Sequence, residues 1–148
     1  ELIVGAGTVL DAGTAKAVLA AGADFVVSPI LDLGLIRVCR AADAFVAAGG
    51  LTPTEIVTAW NAGADVVKVF PATSVGPKYF RDLKGPFPNI RLMPTGGVDA
   101  GNAADFIKNG ACAVAVGTAL LDPVLIGKND WAALEKNARA LVESLARV

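Results

Sequence analysis

The sequence of this 148-residue chain contains no histidine. That absence removes the Ser-His pair, the histidine general base and the histidine-ligated zinc site from the chemistry these residues can build. An excess of charge of one sign is missing too. The 13 basic and 14 acidic residues leave a net charge of -1, which gives no electrostatic footprint for nucleic acid or an anionic membrane. Mean hydropathy is high at +0.56, yet the apolar residues come in short runs broken by Gly, Pro, Asp or Lys. No run approaches the ~20 residues of a membrane span, and no signal peptide is recognisable. Cysteine is scarce: Cys39 and Cys112 stand far apart in apolar contexts without metal-ligand spacing. They read as buried, reduced thiols of a cytoplasmic protein.

What the chain does have is a repeat. Ala21-Gly22-Ala23-Asp24, Ala62-Gly63-Ala64-Asp65 and Asn109-Gly110-Ala111-Cys112 each lead into a short apolar run, with glycines 41 and 47 residues apart. A second series interleaves, ending at Gly7, Gly50 and Gly97, spaced 43 and 47. Such a period spans two strand–helix units. The pattern predicts strands near 2–6, 24–28, 44–48, 65–70, 90–94 and 112–116. It predicts helices near 11–21, 31–41, 53–62, 76–83, 101–109 and 130–146. Asp11, Thr52 and Asp99 are the expected helix N-caps, Pro53 fits a first turn, and Gly22, Gly63 and Gly110 fit helix C-termini.

Short apolar strands alternating with amphipathic helices imply an α/β fold with a parallel sheet. A doubly wound open sheet and a (β/α)₈ barrel both fit. The repeating pairs and the missing Gly-rich nucleotide turn favour the barrel. Six βα units are visible where a barrel has eight. The expectation is a single partial barrel domain over 1–148 holding the third to eighth units, with about 60 residues of barrel preceding Glu1.

One residue breaks the pattern of its strand. Lys68 sits in Val66-Val67-Lys68-Val69-Phe70, a run apolar on both faces, as buried parallel strands are. A buried amine loses hydration at a cost of several kcal/mol unless it goes neutral, and a neutral amine is the nucleophile that forms Schiff bases with carbonyls. The alternative is a strand-end lysine that reaches to water. In a barrel, active-site residues sit at the carboxyl ends of strands. Here these are Thr8, Pro29, Gly49, Gly50, Lys68, Phe70, Thr95, Gly96, Gly97, Gly117 and Thr118. Paired glycine turns at Thr95-Gly96-Gly97 and Gly117-Thr118 suit a phosphate, since glycine lets N–H groups approach an anion. Tight βα turns alone would also use glycine.

These residues resemble a known family: the 2-keto-3-deoxy-6-phosphogluconate (KDPG) and 4-hydroxy-2-oxoglutarate (KHG) aldolases. The likeness runs through Val4-Gly5-Ala6-Gly7-Thr8-Val9, Val27-Ser28-Pro29, Leu51-Thr52-Pro53-Thr54-Glu55, Val67-Lys68-Val69-Phe70-Pro71-Ala72, Lys84-Gly85-Pro86-Phe87-Pro88 and Met93-Pro94-Thr95-Gly96-Gly97-Val98. It implies a trimeric (β/α)₈ class I lyase that uses no cofactor or metal and cleaves a keto acid to pyruvate and an aldehyde. Residue by residue it implies Lys68 as the Schiff-base lysine and Thr8 near the pyruvyl carboxylate. Pro29 and Phe70 would line the pocket, Thr95 would contact substrate, and Gly96, Gly97, Gly117 and Thr118 would hold phosphate.

Two departures stand out. Ala48-Gly49 replaces the family's usual Pro-Gly. The family's glutamate proton shuttle and carboxylate-binding arginine fall upstream of any residue present, and Glu55 reads as a capping or surface residue. Two other readings stay open: a phosphate-binding barrel isomerase or epimerase, and an inactive scaffold. The sequence does not rank KDPG against KHG or a galactonate-derived stereoisomer.

Overall fold

The computed structural model describes residues 2–146 and 148. Glu1 and Arg147 lie outside them. The chain divides into two compact units, one of Glu1–Phe70 with Asn89–Arg91, the other of Pro71–Pro88 with Leu92–Val148.

The first unit is a run of strand–helix pairs: β1 (Gly5–Gly7), α1 (Ala12–Ala20), β2 (Phe25–Val27), α2 (Leu33–Ala41), β3 (Phe45–Gly50), α3 (Pro53–Asn61) and β4 (Val66–Val69). Neighbours in sequence are neighbours in the sheet, and every pairing is parallel, with Gly7 opposite Val27, Val27 opposite Ala47 and Gly49 opposite Lys68. A doubly wound sheet reverses its strand order; β1 to β4 do not.

Helices α1 and α3 start where the sequence signals them. Asp11 accepts from Thr14 N–H at 2.8 Å. Thr52 and Glu55 form a reciprocal capping box behind Pro53. Gly22 and Gly63 follow their helices at φ +97° and +100°, where a side chain would be strained. Alternation along the strands splits the sheet. Val26, Val46, Ala48, Val67 and Val69 are fully buried on one face, together with Leu35, Ile36, Cys39, Ile56 and Ala59 of the helices. The other face carries Val27, Ala47, Gly49, Val66 and Lys68.

The repeated Gly-Ala-Asp acquires a physical role. Asp24 Oδ2 accepts from Val4 N–H at 2.8 Å, and Asp65 Oδ2 from Val46 N–H at 2.8 Å. Their own N–H groups donate back to the carbonyls of Val4 and Val46. Each aspartate therefore clips the entry of its strand to that of the strand before it.

The second unit holds a 3₁₀ turn at Ala72–Ser74, α4 (Gly76–Lys84), β5 (Leu92–Pro94), α5 (Ala103–Lys108), α6 (Pro123–Gly127) and α7 (Trp131–Leu145). Phe80 and Phe106 pack edge to face at 5.2 Å in its core, and Leu83, Leu92, Val98 and Ala103 are buried in the same unit.

Four expectations need correction. The strand expected near 112–116 is reduced to a single parallel bridge, Thr95 to Ala115, with Cys112 and Ala115 N–H donating to Leu92 and Pro94 carbonyls. The first strand is Gly5–Gly7 rather than 2–6, leaving Leu2, Ile3 and Val4 exposed. Asp99 does not cap α5. It caps the turn before it, accepting from Gly101 and Asn102 N–H at 2.8 and 3.2 Å. Cys39 is buried as expected, but Cys112 is exposed. The short helix α6 had no predicted counterpart, because five residues carry too little periodicity to see.

Candidate active site

In the first unit, parallel register brings Thr8, Pro29, Gly49 and Lys68 to one end of the sheet, just past or at the carboxyl ends of β1 to β4. Lys68 is 8% exposed. Its partner across the ladder is Gly49, which adds no side chain beside it. Burial lowers the Lys68 pKa below the usual lysine value, and no charged neighbour contributes to the shift. Its Nζ lies 5.1 Å from the centre of the Phe70 ring. No other partner of that amine occurs among the described residues. The bland strand-end reading predicts an amine in water, and this one is largely withdrawn from it.

The neighbours are placed with equal economy. A Cβ on Gly49 would overlap the backbone of Pro29 and Ile30. Glycine there lets the Pro29 turn lie directly against β3, and Gly49 N–H donates to Ile30 O at 3.1 Å. Ser28, fully buried, accepts from Ile30 N–H at 3.3 Å and shapes the same turn. Thr8 has φ +59°, left-handed backbone that a β-branched residue adopts at a cost of about 1–3 kcal/mol.

In the second unit, Thr95 Oγ1 is buried without a hydrogen-bond partner. Gly96 and Gly97 follow at φ +89° and +70°. A Cβ on Gly97 would overlap the Thr73 methyl, so only glycine fits. Gly117 and Thr118 are exposed, with open space where a Gly117 side chain would go. Two residues on which this turn depends escaped the sequence reading, Thr73 and Asn102. The Asn102 amide donates to Gly97 O at 2.9 Å. The Asp99-to-Asn102 spacing was visible in the sequence, but it read as an ordinary helix start.

Among the described residues no group of His, Cys, Asp or Glu could hold a metal ion. No helix there is long and apolar enough to cross a membrane.

The model of the family named KDPG and KHG aldolase matches residues 1–137. The chain belongs to the KDPG and KHG aldolase family. It is 38% identical over 147 residues to a 2-dehydro-3-deoxy-phosphogluconate aldolase of Pseudomonas aeruginosa, covering 99% of this chain and 67% of that protein. The aldolase of the same name from Haemophilus influenzae is 31% identical over 144 residues, with 97% and 68% covered. A solved structure named native KDPGal superposes with a TM-score of 0.87 at 30% identity, over 98% of this chain and 69% of the other. The chain thus spans about two thirds of the length of the aldolases it matches. The α/β class and parallel strand order agree with those structures, and the resemblance drawn from six motifs is correct.

Proposed function

We propose that this aldolase-family chain acts as a class I, Schiff-base lyase on 2-keto-4-hydroxy acids, with Lys68 as the nucleophile. Neutral Lys68 Nζ attacks the C2 carbonyl, and loss of water gives a protonated imine. The imine accepts the electron pair of the C3–C4 bond while a base removes the C4 hydroxyl proton, and the aldehyde leaves. Protonation of the enamine at C3 and hydrolysis of the imine release pyruvate and restore the amine. With KDPG the aldehyde is glyceraldehyde 3-phosphate; with KHG it is glyoxylate.

The observation that carries this reading is Lys68 itself: a lysine 8% exposed, its amine shifted toward the neutral form by burial, at the carboxyl end of a parallel strand. Thr8, Pro29 and Phe70 are proposed to meet the keto acid, and Thr95 to contact substrate through its unpartnered hydroxyl. Gly96, Gly97, Gly117 and Thr118 are proposed to bind phosphate through N–H and hydroxyl donors. KDPG is the substrate this phosphate reading favours. The strand–helix repeats are proposed to correspond to the third to eighth units of a (β/α)₈ barrel, and the family's trimer is the proposed assembly.

The test is borohydride reduction in the presence of pyruvate, with the adduct located by peptide mass. A single adduct on Lys68 is expected, and none in Lys68→Arg, whose guanidinium stays protonated. An adduct on another lysine, or none in the unaltered protein, overturns the assignment.

A further inference from the structure

The turn after β5 is held by a side chain that its position assigns to a different task. Asn102 occupies the N-cap of α5, where an asparagine normally accepts from the helix's first N–H groups, yet it makes no such bond. It reaches back instead. Its Nδ2 donates to Gly97 O at 2.9 Å, and its Oδ1 accepts from Asp99 N–H at 3.0 Å. A trans peptide is planar, with N–H and C=O pointing in opposite directions. Drawing Gly97 O toward Asn102 therefore aims the N–H of Val98 away from it. Neither Gly97 N–H nor Val98 N–H has a partner among the described residues. Adjacent stands the buried, unpartnered Thr95 hydroxyl.

We propose that Asn102 is a positioning residue for a phosphate monoester at this turn, an inference that rests on the phosphate reading above. Two consecutive glycines at positive φ have several other conformations open to them. Asn102 removes that freedom by fixing the 97–98 peptide, and the Thr73 methyl occupies the place a Gly97 Cβ would take. The donors are then aligned before the anion arrives, so binding does not have to order them. Asn102 makes no bond to the ligand; it acts through the Gly97 carbonyl.

Calorimetry with inorganic phosphate on the full chain, alongside the rate of borohydride trapping with pyruvate, tests this. Asn102→Ala is expected to weaken phosphate binding by about tenfold, by analogy with the loss of a supporting partner of a metal ligand. Pyruvate trapping at Lys68 is expected to be unchanged. Asn102→Asp keeps the acceptor for Asp99 N–H but loses the donor to Gly97 O, and it serves if the alanine variant fails to melt cooperatively. Gly97→Val is the reference for a destroyed turn. If Gly97→Val abolishes phosphate binding while both Asn102 variants bind normally, the positioning role is wrong and the phosphate turn stands. If the unaltered chain binds no phosphate, the phosphate reading falls and this inference falls with it. Equal losses of phosphate binding and pyruvate trapping in the Asn102 variants would show a merely structural residue.

Discussion

Lys68 Nζ lies 5.1 Å from the centre of the Phe70 ring, two residues further along the same chain. The ring acts on the amine in opposite directions. Its face attracts the ammonium, worth about 0.5–1 kcal/mol at a partly exposed site. Its bulk excludes water, which disfavours the charged form by more, since unpaired buried charge costs several kcal/mol. Burial is the cause of the lowered Lys68 pKa, so exclusion is the effect expected to win. Pyruvate trapping is therefore expected to rise with pH through a midpoint below the ordinary lysine value. Phe70→Ala is expected to move that midpoint upward. A downward move would show that the ring acts through its charge attraction alone. The same sign makes the lysine a stability cost below its unfolded pKa, where folding must bury an ammonium. Lys68→Met is expected to melt a few degrees higher at neutral pH.

The aspartate clip gives a prediction free of the chemistry. Asp65 receives Val46 N–H at 2.8 Å and meets Arg40 at 3.3 Å. A hydrogen bond to a charged group contributes about 1.5–3 kcal/mol, and the partly exposed arginine pair adds little. Asp65→Ala is expected to cost about 1–2 kcal/mol in denaturant unfolding. The pH midpoint of pyruvate trapping should stay where it is, since the clip lies at the opposite end of the strands.

Glu55 sets a pH dependence of stability. Its carboxylate accepts from Thr52 N–H at 2.8 Å, from the Thr52 hydroxyl at 2.8 Å and from Leu51 N–H at 3.1 Å. These bonds, Thr52 N–H foremost, hold its pKa below the usual glutamate value. A depressed folded pKa contributes stability that is complete above the unfolded value, near 4.5, and is lost as pH falls through the folded one. Glu55→Gln is expected to be less stable than the unaltered chain at pH 7 by a few tenths of a kcal/mol, the scale of an exposed cap. The gap should close in melts taken below pH 4. A constant gap across that range would remove the ionic contribution.

How much of this was legible depended on whether a residue speaks through local pattern or through distant neighbours. Asp11, Thr52 with Pro53, and the glycines after α1, α3 and α5 announced their helix ends, because capping is settled within four residues. Lys68 was legible because a charge in a two-faced apolar strand has few explanations. The Asp24 and Asp65 clips were not, although their repeat was plain: a repeated residue shows that a position matters, and only the fold shows which strand it reaches. Asn102 was hidden for the same reason, since its helix-cap position suggests a local bond it does not make. The stretch 112–116 failed the other way. Its apolar run is real, but a ladder needs partners that pattern cannot supply.

The last prediction concerns the 148-residue chain as a catalyst. Retro-aldol cleavage needs a base for the C4 hydroxyl as well as an amine. Among the described carboxylates of the first unit, Asp11, Asp32 and Glu55 are committed to helix caps and Asp24 and Asp65 to their clips, while Asp43 precedes β3 at the opposite end of the strands. No charged group contributes to the Lys68 shift. The same unit ends at β1, a strand paired among the described residues with β2 alone, beside Leu2 at 89%, Ile3 at 77% and Val4 at 61% exposure. An unpaired strand edge flanked by apolar side chains is a template for association. The chain of residues 1–148 is therefore expected to form the pyruvate imine but to release pyruvate from KDPG immeasurably slowly. It is also expected to run as an associated species in size-exclusion chromatography. A monodisperse, cooperatively melting chain that cleaves KDPG would show that one of these carboxylates leaves its structural post to serve as the base, and that the exposed edge is harmless.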